Sequence, residues 1–200
     1  TYFKQKNYPK ATEGFKNFIA NKKDDKLRLN DAYLRLGDGY FVSSNYDEAI
    51  TAYDKAMALN EIETDYAAFQ KAMSYGYIGK GTTKVQELIA FIDKYNKSSL
   101  RDDAIYELAN SYVKANQTDK AMSTYDRLNN EYATSIFVPK SLLRQGLVHY
   151  NASQNDQALN KFKKVAKDYP NSEEAIQAVA TARLIYIDLG RVDEYAAWVK

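Results

Sequence analysis

His149 is the only histidine in the 200 residues, and there is no cysteine. A multi-histidine zinc site cannot be built from one imidazole, and disulfides, thiolate nucleophiles and cysteine-based zinc sites need a residue the chain lacks. A Ser-His-Asp triad would have to pass through His149. Gly76-Tyr77-Ile78-Gly79-Lys80-Gly81-Thr82-Thr83 imitates a phosphate-binding loop. A working loop places four residues between its first glycine and a Gly-Lys-Ser/Thr unit. Here Gly81 separates Lys80 from Thr82, and the residues before it have helical character, so a turn between helices is expected. Asp47-Glu48, Glu173-Glu174 and Asp193-Glu194 are paired carboxylates of the type a hydrolase uses. Each stands at an expected helix start, where negative charge complements the helix dipole. Asn96-Lys97-Ser98, Asn116-Gln117-Thr118 and Asn151-Ala152-Ser153 have the form of glycosylation acceptors, which matter only in a eukaryotic secretory setting. No catalytic residue, no metal and no cofactor are expected.

The elements that hold these residues are read from an internal repeat. Asn45-Tyr46-Asp47-Glu48-Ala49 with Tyr53 has counterparts in Asn7-Tyr8-Pro9-Lys10-Ala11 with Phe15, Gln117-Thr118-Asp119-Lys120-Ala121 with Tyr125, and Asn155-Asp156-Gln157-Ala158 with Phe162. Each places an aromatic four residues after a small one, on one face of a helix. Val85 before Ile89 and Tyr195 before Val199 are weaker copies. The anchors 11, 49, 85, 121, 158 and 195 stand 36 to 38 residues apart. A second pattern precedes each anchor: Tyr33, Leu36, Gly37 and Tyr40, then Ile105, Leu108, Ala109 and Tyr112, then Leu142, Gln145, Gly146 and His149. The spacing i, i+3, i+4, i+7 is one helical face. His149 thus takes a tyrosine's place, which predicts a packing role.

Together these positions resemble the tetratricopeptide pattern W-x-x-L-G-x-x-Y…A-x-x-x-F over nearly the whole chain. The resemblance implies an all-α, right-handed superhelix (a solenoid) of antiparallel helix pairs. Expected units cover about 1–24, 30–63, 66–99, 102–135, 139–172 and 176–200, as a single array cut from a longer one. Residues 1–5 read as the tail of a first helix, followed by a helix over about 7–21, hairpins near 30–60, 65–96, 102–132 and 138–168, and helices over 174–188 and from 191. Small residues such as Gly37 and Ala49 let paired helices approach, and twelve of the 18 tyrosines recur at fixed phases as core. Met73 and Arg183 replace the small residue of the first helix, and Val85 and Tyr195 that of the second. The units carrying them are expected to pack less regularly.

With 28 basic and 26 acidic residues interspersed, there is no basic face to neutralise a nucleic-acid backbone. Apolar runs of about five residues fall far short of the ~20 that span a bilayer, so no direct membrane insertion is expected in this segment.

The expected function is therefore that of a non-enzymatic scaffold binding a peptide or helix of a partner protein. Its groove would be lined by the first helix of each pair, the usual solenoid binding surface. The phase of Tyr106, Asn110 and Lys114 picks out the candidates Gln70, Ser74 and Tyr77, and Leu143, Leu147 and Tyr150, with Lys140 and Arg144 beside them. Leu34, Asp38 and Phe41 share that phase. The alternative is that these residues pack one hairpin on the next. Lys114 and Arg144 predict a mild bias toward acidic or phosphorylated segments. Some relatives hold a C-terminal carboxylate with a Lys/Asn/Arg clamp. Lys140 and Arg144 match its last part, but Leu34 and Asp38 replace its first, so that binding is not expected. Competing roles are a structural spacer in a larger repeat protein or the regulatory arm of an enzyme. The endings Lys94-Tyr95-Asn96-Lys97-Ser98, Glu131-Tyr132-Ala133-Thr134-Ser135 and Asp168-Tyr169-Pro170-Asn171-Ser172 resemble the bacterial envelope branch of the family, which implies a periplasmic or outer-membrane-associated location; the alternative is cytoplasmic.

Overall fold

Repeated helix stops shape the chain. Among the described residues six helices are closed by a residue in the left-handed region; five of these residues, Ser44, Gly79, Asn116, Ser153 and Gly190, share one further bond, and the sixth is Asn60. In each of the five, the next amide donates back to the carbonyl five residues earlier: Asn45 to Tyr40, Lys80 to Tyr75, Gln117 to Tyr112, Gln154 to His149 and Arg191 to Tyr186, at 2.8–2.9 Å. This pairing satisfies the orphan carbonyls of a helix end and turns the chain back on itself. The sequence that imitates a phosphate loop is one of these turns, with Gly79 at φ +77°.

The structure, a computed structural model, describes residues 7–21 and 25–199. These form eleven helices and, among the described residues, no strand: α1 (Tyr8–Asn21), α2 (Lys26–Val42), α3 (Tyr46–Leu59), α4 (Thr64–Tyr77), α5 (Gly81–Lys94), α6 (Arg101–Lys114), α7 (Thr118–Glu131), α8 (Phe137–Asn151), α9 (Asn155–Asp168), α10 (Glu173–Asp188) and α11 (Val192–Trp198). The all-α expectation holds. The expected helix tail over residues 1–5, and Tyr2 with it, lies outside the described residues. No described helix is long and apolar enough to cross a membrane. Two compact units are present, Thr1–Ala104 and Ile105–Lys200.

In the first unit, Leu34, Ala49, Tyr53, Ala56 and Ala67 form a core ringed by half-buried Tyr33, Tyr40, Phe41, Met57, Ile62 and Tyr66. Gly37 is needed because a Cβ there would stand 2.6 Å from the Tyr53 ring. Buried Asn30 fastens the α3–α4 connection: its Oδ1 accepts from Glu61 N at 3.0 Å and its Nδ2 donates to the Ile62 carbonyl at 3.1 Å. Buried Asp38 accepts from the Tyr53 hydroxyl at 2.9 Å, the Tyr66 hydroxyl at 2.8 Å and Arg35 Nη1 at 2.9 Å. α5 departs from the sequence expectation. Its buried residues are Leu88, Phe91 and Ile92, whereas Ile89, the expected partner of Val85, is 40% exposed. Met73 is only half-buried.

In the second unit, Ala109, Ala121 and Tyr125 form one core, and residues of α8, α9 and α10 around Leu142, Phe162, Ala178 and Tyr186 form another. A Cβ on Gly146 would collide with the Phe162 ring. Gln145 stands where other repeats have leucine and is fully buried. Its Nε2 donates to Asp126 Oδ1 at 2.7 Å, and its Oε1 accepts from Lys161 Nζ at 2.9 Å. α7, α8 and α9 are thus tied by a polar network where an apolar contact is usual. Arg183 is exposed, and α11 buries none of its residues.

Candidate functional site

Polar side chains within a repeat core must be satisfied, and this removes several expected groove residues from a free surface. In the first unit Leu34 is fully buried and Asp38 carries the tyrosine network. Ser74 is also fully buried and donates to the Gln70 carbonyl at 2.8 Å, so its hydroxyl serves its own helix; the Gln70 side chain is half-buried. Tyr77 is 57% exposed, stacked on Tyr46 at 4.7 Å and edge-on to Phe41 at 5.6 Å. At these phases the first unit holds mostly packing residues, with Tyr77 displayed.

The second unit differs. Asn110 accepts from the Tyr125 hydroxyl at 2.5 Å and Tyr150 packs against the α8–α10 core, so both are half-buried structural residues. Lys114 is exposed in the last turn of α6. Tyr106, Lys140 and Arg144 come together. With Leu143, Leu147, Glu173, Glu174 and Gln177 they line an open cleft of about 260 Å³. Every lining residue belongs to the first helix of a hairpin, α6, α8 or α10.

The cleft is built from below. Tyr106 stacks on Phe137 at 5.2 Å and leans on Tyr125 at 6.2 Å. Lys140 Nζ lies 5.3 Å above the Phe137 ring, a cation–π contact. Arg144 projects one turn further along α8, exposed. Leu143 is buried and Leu147 half-buried beneath them. Burial pushes the Tyr125 phenol up from its ordinary value, as does the neighbouring Tyr106, while Arg144 opposes the shift. Ser172 Oγ accepts from Ala175 N at 3.1 Å, caps α10 and so fixes where Glu173 and Glu174 emerge.

Glu173, Glu174 and Gln177 were not among the residues singled out by phase. The signal was present. One repeat interval from Lys140 falls on Gln177, and the acidic pair lies one turn before it. Their reading as dipole-compensating residues concealed a second position on the cleft wall. His149 is half-buried with Nδ1 2.6 Å from Gln154 Oε1, at the turn that closes α8. No cluster of three histidine, aspartate or glutamate side chains suited to a metal occurs among the described residues.

The hairpins and the cleft define a protein of repeated antiparallel helix pairs. Residues 103–135, 140–172 and 30–61 match family models described as Tetratricopeptide repeat, which supports its place in that family. Comparison with curated proteins finds no match. Among solved structures, the chain is similar to MamA protein (20% identity, covering 85% of this chain and 87% of that one, TM-score 0.66). It is similar to BtubC from P. vanneervenii (13% identity, 96% and 85%, TM-score 0.71). A tetratricopeptide repeat protein from Parabacteroides merdae ATCC 43184 is a third (13% identity, 99% and 73%, TM-score 0.73). At these identities the likeness is one of fold. Tetratricopeptide repeats are generally protein-interaction scaffolds without enzymatic activity.

Proposed function

We propose that this chain is a non-enzymatic scaffold that holds a segment of another protein in the cleft of its second unit. The observation that carries this is the meeting of Tyr106, Lys140 and Arg144 over a leucine floor, on first helices alone. At about 260 Å³ the cleft is below the ~300–1,000 Å³ usual for small-molecule pockets, a size that suits protein side chains better than a cofactor. Aromatic and arginine side chains dominate binding energy at protein interfaces.

A photo-crosslinking residue in place of Arg144 identifies the partner, and titration calorimetry then measures its affinity. Tyr106→Ala and Arg144→Ala should each cost roughly 1–4 kcal/mol of binding with the helical spectrum unchanged. Asn160→Ala, on exposed α9 surface, is the control. Binding as tight as the control's in both cleft variants overturns the model. A spacer is favoured if no partner crosslinks through this segment. For location we propose the bacterial cell envelope, on the Tyr-Pro-Asn-Ser type endings; a full-length gene without an export signal overturns that.

A further inference from the structure

The charges of the cleft point to the chemistry of its occupant, on the assumption that the cleft does hold a protein segment. Lys140 and Arg144 stand on successive turns of α8, and Glu173 and Glu174 open α10 on the same cleft. None of the ion pairs among the described residues uses any of these four. Elsewhere in the unit opposite charges close on each other: Arg191 on Asp156 at 2.9 Å and Glu194 at 2.6 Å, and Lys164 on Asp168 at 2.7 Å. The cleft instead keeps both signs apart, with Leu143 and Leu147 beneath. A purely acidic or phosphorylated segment would meet the two lysine and arginine charges but also two carboxylates, and like charges brought together across an interface are costly.

We infer that the cleft takes a partner segment of mixed sign, in which an apolar side chain is flanked by an acidic residue on one side and a basic residue on the other. The apolar group covers the leucines, the acidic one faces Lys140 and Arg144, and the basic one faces Glu173 and Glu174. This replaces the bias toward acidic or phosphorylated segments that Lys114 and Arg144 suggest from sequence.

The test is fluorescence anisotropy of the whole chain with synthetic twelve-residue probes. Each carries a central leucine with charges placed two to seven residues apart, in both polarities, as mixed, all-acidic and all-basic sets. The mixed set should contain probes that bind roughly tenfold or more tighter than either single-sign set. Arg144→Glu should move the preference to basic probes, and Glu174→Lys to acidic ones, both with unchanged circular dichroism. Equal binding of the three sets overturns the charge assignment and leaves peptide docking standing. So does a wild-type preference for the acidic set. No binding by any probe overturns both the assignment and the docking model beneath it.

Discussion

Two of the buried tyrosine hydroxyls are satisfied in the same way in two hairpins, whereas the buried Tyr95 and Tyr186 hydroxyls have no hydrogen-bond partner. Tyr53 donates to Asp38 and Tyr125 to Asn110, at matching positions of α2–α3 and α6–α7. Where the second helix carries Phe162 instead, the matching position of α8 is Leu147. In these three hairpins hydroxyl and acceptor appear and vanish together, which avoids the cost of an unsatisfied buried group. Burial raises the phenol pKa of Tyr53 and Tyr66, and the charge of Asp38 raises both further. A folded pKa above the unfolded value near 10 means that their contribution to stability is complete below pH ~10 and is lost as pH climbs through the folded values. Absorbance at 295 nm should therefore show Tyr53, Tyr66 and Tyr125 ionising only as the protein unfolds in alkali, and Tyr53→Phe should shrink that late step by one phenol. Glycine tests the packing at the same scale. Gly37→Ala forces a methyl to 2.6 Å from the Tyr53 ring and should cost about 1–3 kcal/mol in urea unfolding. Gly14→Ala meets nothing within 4 Å in α1 and should gain up to about 1 kcal/mol.

At the scale of elements, two turn devices alternate, save between α3 and α4, where left-handed Asn60 closes α3. Within a hairpin the left-handed residue closes the first helix. Between hairpins, the amides of Ser98, Ser135 and Ser172 donate to the carbonyls of Tyr95, Tyr132 and Tyr169 at 2.9–3.0 Å. The hydroxyls of the same serines accept from Leu100, Phe137 and Ala175 amides at 3.1 Å, and the Ser172 bond caps α10. The Tyr-x-x-Ser endings thus have a local physical cause. Ser172→Ala should cost roughly 0.5–2 kcal/mol, measured by thermal unfolding. Asn30→Leu strands the Glu61 amide and the Ile62 carbonyl and should cost roughly 1–3 kcal/mol. Helix positions were legible in the sequence because small anchors and aromatics recur on one face. The face of α5 was not. Val85 cannot let α5 approach as Ala49 lets α3, and the helix buries Leu88, Phe91 and Ile92 in place of the Val85–Ile89 stripe. Gln145 was legible as an oddity in a leucine position, but its network was not, because Asp126 and Lys161 reach it from helix positions that read as charged surface beside the anchors.

At the scale of the whole chain, stability is unevenly spread. α11 has no buried residue and only seven positions, while Ala121, Tyr125 and Leu128 of α7 are fully buried. Hydrogen exchange should find amides of 192–198 opening at near-zero local free energy and those around Tyr125 among the slowest. The cleft was half legible. Phase brought out Tyr106, with Lys140 and Arg144 beside the stripe, but the same phase picked Ser74 and Asn110, whose exposure depends on partners that no single-helix pattern contains.

The serine turns have a consequence for the history of such a chain. Ser135 and Ser172 end their hairpins with the same backbone hydrogen bond, and each hydroxyl accepts from an amide at the start of the next helix, Phe137 for Ser135 and Ala175 for Ser172. A recombination that removes residues 136–172 joins Ser135 directly to Glu173 and leaves a Tyr-x-x-Ser turn in front of α10. Gene segments bounded by such turns can be lost or copied without inventing a new connection. A shortened chain of this kind should still give a helical spectrum and a cooperative melt, at a lower temperature because the Gln145 network is gone.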